Sequence, residues 1–215
     1  MSPENQPANR PGPSSRHRFV DQARELLGIH REEVNALIWR RSLGPALSTQ
    51  SEALASTEPR MLLDTRCRPD QVRLRLLEAT GQPPFQVHLL GRDIEHLAHA
   101  FAIVASAVSV RIQLEVLDHQ PCPLFHVDNN VLRMLCTYVG PGTEYADERH
   151  LNRERLQQND NEGVLGGRSP LITEAGQAIL MKGKRYSSEN GRGAVHRSPP
   201  IPPGQRRLAL RLDYP

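Results

Sequence analysis

The sequence predicts an α+β fold, with helices first and strands afterwards that close into a sandwich or barrel over which the helices pack. Two features of the pattern carry this. Up to about residue 106, apolar residues recur at helical spacing, and after residue 108 the period drops from 3.6 to 2. Size is the third observation: 215 residues suffice for one sizeable core and would crowd two domains. Hydrophobic residues make up 38% and aromatics only 4%, so that core is built mainly from Leu, Val, Ile and Ala.

Residues 1–17 hold four prolines, two asparagines and three serines without apolar periodicity, and read as a disordered tail. FVDQARELLG (19–28) reads as a helix stopped at Gly28. REEVNALIWRR (31–41) places Val34, Leu37, Ile38 and Arg41 at helical spacing, with Trp39, the only tryptophan, packing where this helix meets the main body. Residues 44–60 read as a loop with room for one short helix. RPDQVRLRLLEATG (68–81) is a further helix, with Pro69 near its first turn and Gly81 after its end. RDIEHLAHAFAIVASA (92–107) lines up Ile94, Leu97, Ala98, Phe101 and Ala105 on one face, leaving His96 and His99 on the solvated flank.

Strand signals then take over. SVRIQLEVLDH (109–119) alternates Val110, Ile112, Leu114 and Val116 against Arg111, Gln113 and Glu115. CPLFHVD (122–128) and VLRMLCTYV (131–139) follow, Gly140-Pro141-Gly142 marks a turn, and Thr143-Glu144-Tyr145 restarts a strand. Residues 146–170 are polar and read as an excursion over the surface. QAILMKG (177–183), GAVHRSP (193–199) and RRLALRLDY (206–214) complete the strands.

Charge and cysteine usage exclude several classes of function. The 27 basic and 24 acidic residues are interspersed, with no basic run and few aromatic stacking partners, which argues against nucleic-acid binding. The longest apolar stretch, 99–110, is too short to span a bilayer, and the first 18 residues lack the apolar core of a secretory signal. Three cysteines, Cys67, Cys122 and Cys136, form no C-x-x-C pair and read as reduced thiols, so the expected compartment is the cytoplasm. No serine or cysteine sits in a nucleophile elbow, and the Gly-containing 164–169 lacks the lysine of a phosphate loop.

Chemistry concentrates around FHVDNN (125–130) and AVHRSPP (194–200). On a strand, the period of two would place His126 and Asp128 on one face with Cα atoms about 6.6 Å apart. A second strand carrying His196 would complete two imidazoles and one carboxylate, the facial set that holds a divalent ion and leaves positions open for other ligands. Arg206 and Arg207 open the last strand, ten and eleven residues after His196. Alternation sets Leu208, Leu210 and Leu212 on one face and Arg207, Ala209 and Arg211 on the other. A guanidinium aimed into the barrel suits a bidentate grip on a carboxylate, such as that of a 2-oxo acid chelating the metal through its other end. The plainer alternative stays open: D-N-N is good turn chemistry, and His196 can simply cap a strand. Cys122 or Cys136 beside imidazole would favour zinc, although Cys136 lies in an apolar strand where burial is the simpler reading.

H-x-D, a distal His and then an Arg resemble the 2-oxoglutarate/Fe(II)-dependent oxygenases. LCTYVGPGTEY is similar to the strand, Gly-rich turn and strand that follow their proximal motif, and QAILMKGKRYSSENGRGAVHRSPP to the hairpin that delivers the distal histidine. The resemblance implies a double-stranded β-helix (a cupin-like jelly roll) over 107–215, packed against a mainly helical 18–106. It implies iron held by His126, Asp128 and His196 as the catalytic centre, and 2-oxoglutarate bound by Arg207, with Arg206 the close alternative and Tyr138 assisting. The usual small hydroxyl residue two positions after the binding arginine is Ala209 here. FHVDNNVLRMLCTYVGPGTEY with GAVHRSPP is more closely similar to a bacterial family known as domain of unknown function 1826, from about residue 30 onward. Members of it are associated with zinc homeostasis, so a non-catalytic metal-binding protein, with Zn in place of Fe(II), is the competing expectation. The prime substrate, a small molecule or a protein, is not legible in either case.

Overall fold

The alternating residues 206–214 become the spine of the molecule. The computed structural model describes residues 15–186 and 192–214. In chain order its elements are β1 (His17–Val20), β2 (Ala36–Trp39), α1 (Pro45–Ala55), β3 (Arg60–Cys67), α2 (Val72–Thr80), α3 (Pro84–Val104), β4 (Val110–Leu117), β5 (Leu132–Val139), β6 (Glu144–Tyr145), α4 (Asn161–Val164), β7 (Leu171–Ile172), β8 (Ala178–Lys182), β9 (His196–Arg197) and β10 (Arg207–Tyr214). Short 3-10 helices cover Ala23–His30, Pro69–Gln71 and Arg153–Gln158. The fold is a mixed α/β arrangement of two sheets. The larger has strand order β1-β2-β8-β5-β10-β4-β3 and the smaller β7-β6-β9. Every pairing is antiparallel except that of β1 with β2.

β10 pairs with β4 through Leu210↔Leu114 and with β5 through Leu210↔Cys136, so one face of three adjacent strands is set in a single register. On that face Leu208, Leu210 and Leu212 meet Ile112, Leu114, Met134 and Tyr138, all in the main core cluster. α3 covers it with Leu90, Ile94, Leu97 and Phe101, each fully buried. The opposite face carries Gln113, Arg133, Leu135, Arg207, Ala209 and Arg211, and it lines the cavity described below.

Several expectations from the pattern are corrected. Residues 36–39 form a strand, not part of a helix, because β2 lies inside the sheet between β1 and β8. All four of its residues are buried, Leu37 and Trp39 towards the helical layer and Ala36 and Ile38 in a second cluster with Ile179 and Met181. A strand covered on both faces shows no polar alternation, and its apolar run mimics helical spacing. β3 fell in a stretch given no element. With β1 and β2 it places three strands of the larger sheet in the half expected to be mainly helical. Residues 44–60 hold a three-turn helix, α1, begun by Pro45 after Gly44. The expected helix over 92–107 starts earlier, at Pro84, and its interior Gly91 lets the Arg73 side chain of α2 pack close.

Of the expected tail, residues 1–14 lie outside the described residues, and His17 is already in β1. The first helix becomes the 3-10 turn Ala23–His30, which runs past Gly28 and buries Leu26 and Ile29. Among the described residues no helix is long and apolar enough to cross a membrane.

Candidate metal centre

His126 and His196 are seventy residues apart in sequence and directly opposite in space. His126 N–H donates to the His196 carbonyl and His196 N–H to the His126 carbonyl, both at 3.0 Å. This reciprocal antiparallel bridge lies on the free side of β9, whose other side pairs with β6. Side chains opposite each other across such a bridge share a face, and the two imidazole centroids are 4.7 Å apart. The polar stretch 146–170 supports both ligand segments. Asn161 Oδ1 accepts from Phe125 N at 2.9 Å, and Val164 and Leu165 pack on Phe125, Val127 and Val195. Arg153 Nη2 donates to the Gly193 carbonyl at 2.8 Å. What reads as an excursion over the surface therefore also clamps the two strands that carry the histidines.

Asp128 closes the group: one ligand atom from each of His126, Asp128 and His196 lies within 4.8 Å of the others. His126 Nε2 is 3.5 Å from Asp128 Oδ1 and His196 Nε2 is 3.2 Å from Asp128 Oδ2. Donors around one ion at metal–ligand distance are about 3 Å apart, so this spacing suits a shared cation. The tautomers follow from the backbone. His126 Nδ1 faces the Leu124 carbonyl at 2.9 Å and His196 Nδ1 the Ala194 carbonyl at 3.2 Å. A carbonyl only accepts, so each Nδ1 carries a proton, and in the neutral ring each Nε2 then turns its lone pair to the carboxylate. In that state three acceptors face one another, and either protons on the rings or a shared metal ion relieves them.

Asp128 Oδ2 is buried and accepts no hydrogen bond. Such an orphan costs free energy unless something absent here satisfies it. Two imidazole nitrogens and this oxygen fit a divalent ion. Burial pushes the Asp128 carboxyl up, but His126, His196 and Arg133 outweigh it and hold the group well below the usual carboxylate range. His126 is drawn up by Asp128 against the opposing effect of its own burial.

Arg207 lies in the same cavity, whose volume is about 130 Å³ and whose wall includes His126, His196, Arg133 and Thr143. It is 5% exposed. Its Nη2 donates to Thr137 Oγ1 at 3.1 Å and Thr143 Oγ1 at 3.3 Å, whereas its Nε has no acceptor. Among the described residues no carboxylate forms an ion pair with it, and burial lowers its pKa to about 10. The two threonine hydroxyls went unnoticed in the sequence, where only Ala209 marked the missing hydroxyl. Their place opposite Arg207 depends on the pairing of β5 with β10 and on the turn before β6.

The two other residues expected beside Arg207 lie elsewhere. Arg206 points away and pairs with Asp118 at 3.6 Å. Tyr138 is on the helical face of β5, where its hydroxyl donates to Asp93 Oδ2 at 2.7 Å. Neither lines the cavity, because the strand period sends neighbours of Arg207 and Thr137 to the other side. Cys136 is buried on that same helical face, its thiol pushed up to about 12 by burial, while Cys122 is exposed at the cavity wall. His96 and His99 are exposed, as the helical pattern predicts.

The family described as "Protein of unknown function (DUF1826)" matches residues 20–213. No curated protein matches the chain. Among solved structures, the dioxygenase for auxin oxidation of rice is similar at 12% identity and a TM-score of 0.56, covering 89% of this chain and 77% of its own. JOX2, solved in complex with 2OG, Fe and JA, is 10% identical with a TM-score of 0.50, over 97% of this chain and 77% of its own. At such identities the likeness is one of fold.

Proposed function

Because the chain belongs to the family described as "Protein of unknown function (DUF1826)", its activity has to be argued from the site, and we propose a non-haem Fe(II)/2-oxoglutarate-dependent oxygenase on a double-stranded β-helix. One observation carries the reading. A metal-ready group with an orphaned carboxylate oxygen shares a cavity with a buried arginine that lacks an acid. Metal binding alone accounts for the first half. The second half calls for an anion, and a dicarboxylate that chelates a metal at one end fits both.

In this reading His126, Asp128 and His196 hold the ion. Arg207 holds the distal carboxylate of the 2-oxo acid through its unpartnered Nε. Thr137 and Thr143 supply the hydroxyls that Ala209 does not, and they keep the guanidinium in place. Bound together, ferrous iron and 2-oxoglutarate would supply electrons to dioxygen, the oxidant, for attack on a substrate C–H bond. Leu135 and Ala209 help to wall the cavity and exclude water, and the substrate enters beside Pro121, Cys122 and Ser198. The fold shared with the rice dioxygenase supports this reading.

The test is an anaerobic visible spectrum as Fe(II) and then 2-oxoglutarate are added, with His126→Ala as control. A charge-transfer band that needs both additions and is lost in the variant supports the proposal. A tightly held ion without the band replaces it with a non-catalytic metal-binding role. Failure to bind any divalent ion overturns both.

A further inference from the structure

Asp128 has two oxygens in different surroundings. Oδ2 is the buried orphan beside His196. Oδ1 accepts from Arg133 Nη1 at 2.5 Å. Arg133 stands on β5 between Leu132 and Met134, which face the helices, so its own side chain falls on the cavity face. It is opposite Asp213 in the register of β5 with β10. Arg133 Nε donates to Asp213 Oδ1 at 2.6 Å and Nη2 to Asp213 Oδ2 at 3.0 Å. Asn130 Nδ2 holds Asp213 Oδ1 from the other side at 3.1 Å. All three side chains of the Asp128–Arg133–Asp213 chain are largely buried, at 11%, 17% and 13% exposure.

The guanidinium is therefore pinned along one edge, through Nε and Nη2, before it meets Asp128, and its remaining nitrogen, Nη1, has a fixed direction. A carboxylate chelates an ion through both oxygens only when it can turn both towards it. Turning Asp128 that way would break its contact with Arg133.

We propose that Arg133 is a positioning residue that holds Asp128 to one-oxygen coordination through Oδ2. The inference rests on the metal-binding reading above. Two imidazoles and one carboxylate oxygen then fill half of an octahedral shell and leave the other half for exchangeable ligands. The adjacent cation also draws charge from the carboxylate, so the ion is held less tightly than by a free aspartate.

The probe is Mn(II) alone, and the readout is water proton relaxation per bound ion, which counts waters on the metal. Wild-type protein is expected to keep about three waters on a six-coordinate ion; a count of two overturns the proposal before any variant is made. Arg133→Met strands two buried carboxylates and can unfold the chain. The double variant Arg133→Met/Asp213→Leu removes the pair together and carries the test in that case. In either variant the inner-sphere relaxivity should fall by about a third as Asp128 turns bidentate, with Mn(II) affinity unchanged or tighter. A purely structural role for Arg133 would weaken the affinity and leave the water count alone. That result, with native Trp39 emission, overturns the inference. Failure of the wild type to bind Mn(II) overturns instead the metal-site reading beneath it.

Discussion

Replacing Arg207 with Met should stabilise the protein and at the same time remove the proposed 2-oxo acid site. Burial holds the guanidinium at about 10, which corresponds to about 3 kcal/mol against the charged form at about 1.4 kcal/mol per pH unit. The sign is that of a cation whose pKa folding lowers. The cost is fully present below about pH 10, where folded and unfolded chains are both charged, and fades as the pH rises through that value. Against the gain stand two hydrogen bonds, to Thr137 and Thr143, at about 1 kcal/mol each. Met fills much of the same stem volume, so the net expectation at pH 7 is a gain of about 1 kcal/mol. Urea unfolding followed by the fluorescence of Trp39, which is buried, measures it. Calorimetric titration of 2-oxoglutarate into Mn(II)-loaded protein should meanwhile show affinity reduced about 10- to 10²-fold, since the charge-assisted hydrogen bond from Nε is worth about 1.5–3 kcal/mol. A variant that is less stable by 2 kcal/mol or more and binds 2-oxoglutarate as before would refute the argument, because Arg207 would then be a structural cation with a partner in the fold.

Three further outcomes are expected. His196→Ala should abolish the thermal shift given by Mn(II), which in the wild type reaches about 2.7 kcal/mol at a hundredfold excess over Kd; differential scanning calorimetry with and without the ion reads the difference. Gly142→Ala should cost about 3 kcal/mol or more, since an added Cβ would sit 1.7 Å from the Thr173 carbonyl oxygen beside the smaller sheet, and a lowered urea midpoint would register it. A thiol reagent should label Cys122 alone in the native protein, because Cys67 and Cys136 are buried and their thiols are pushed up by burial; mass spectrometry of the peptides locates the label.

The strands around the site were legible wherever one face is dry and the other wet. β4 and β10 show that alternation, and it set Arg207 apart from Leu208 correctly. β2 carries no such contrast, since both its faces are covered, and its four apolar residues satisfy a helical template equally well. The three residues of the metal group were visible as H-x-D and a distal His. Their convergence, however, depends on the His126–His196 bridge, a contact across seventy residues that no local spacing encodes. Arg133 passed unremarked for the same reason. In VLRMLC it looks like the polar half of an alternation, and its importance comes from Asp213, eighty positions later on β10. Thr137 and Thr143 could have been found by asking which hydroxyls the G-P-G turn brings opposite the last strand.

The bridge between His126 and His196 also bears on when an ion can enter. On the ribosome His126 and Asp128 emerge seventy residues ahead of His196, and β10, with Asp213 and Arg207, comes later still. Until β9 has paired with β6, the nascent chain offers an ion one imidazole and one carboxylate, a weak pair that any abundant divalent ion occupies and leaves. The complete donor set comes into being only when the two halves of the bridge exchange their hydrogen bonds. If the proposed metal site is right, metal choice is deferred from synthesis to the finished fold, where the donor geometry and the local ion supply decide it together.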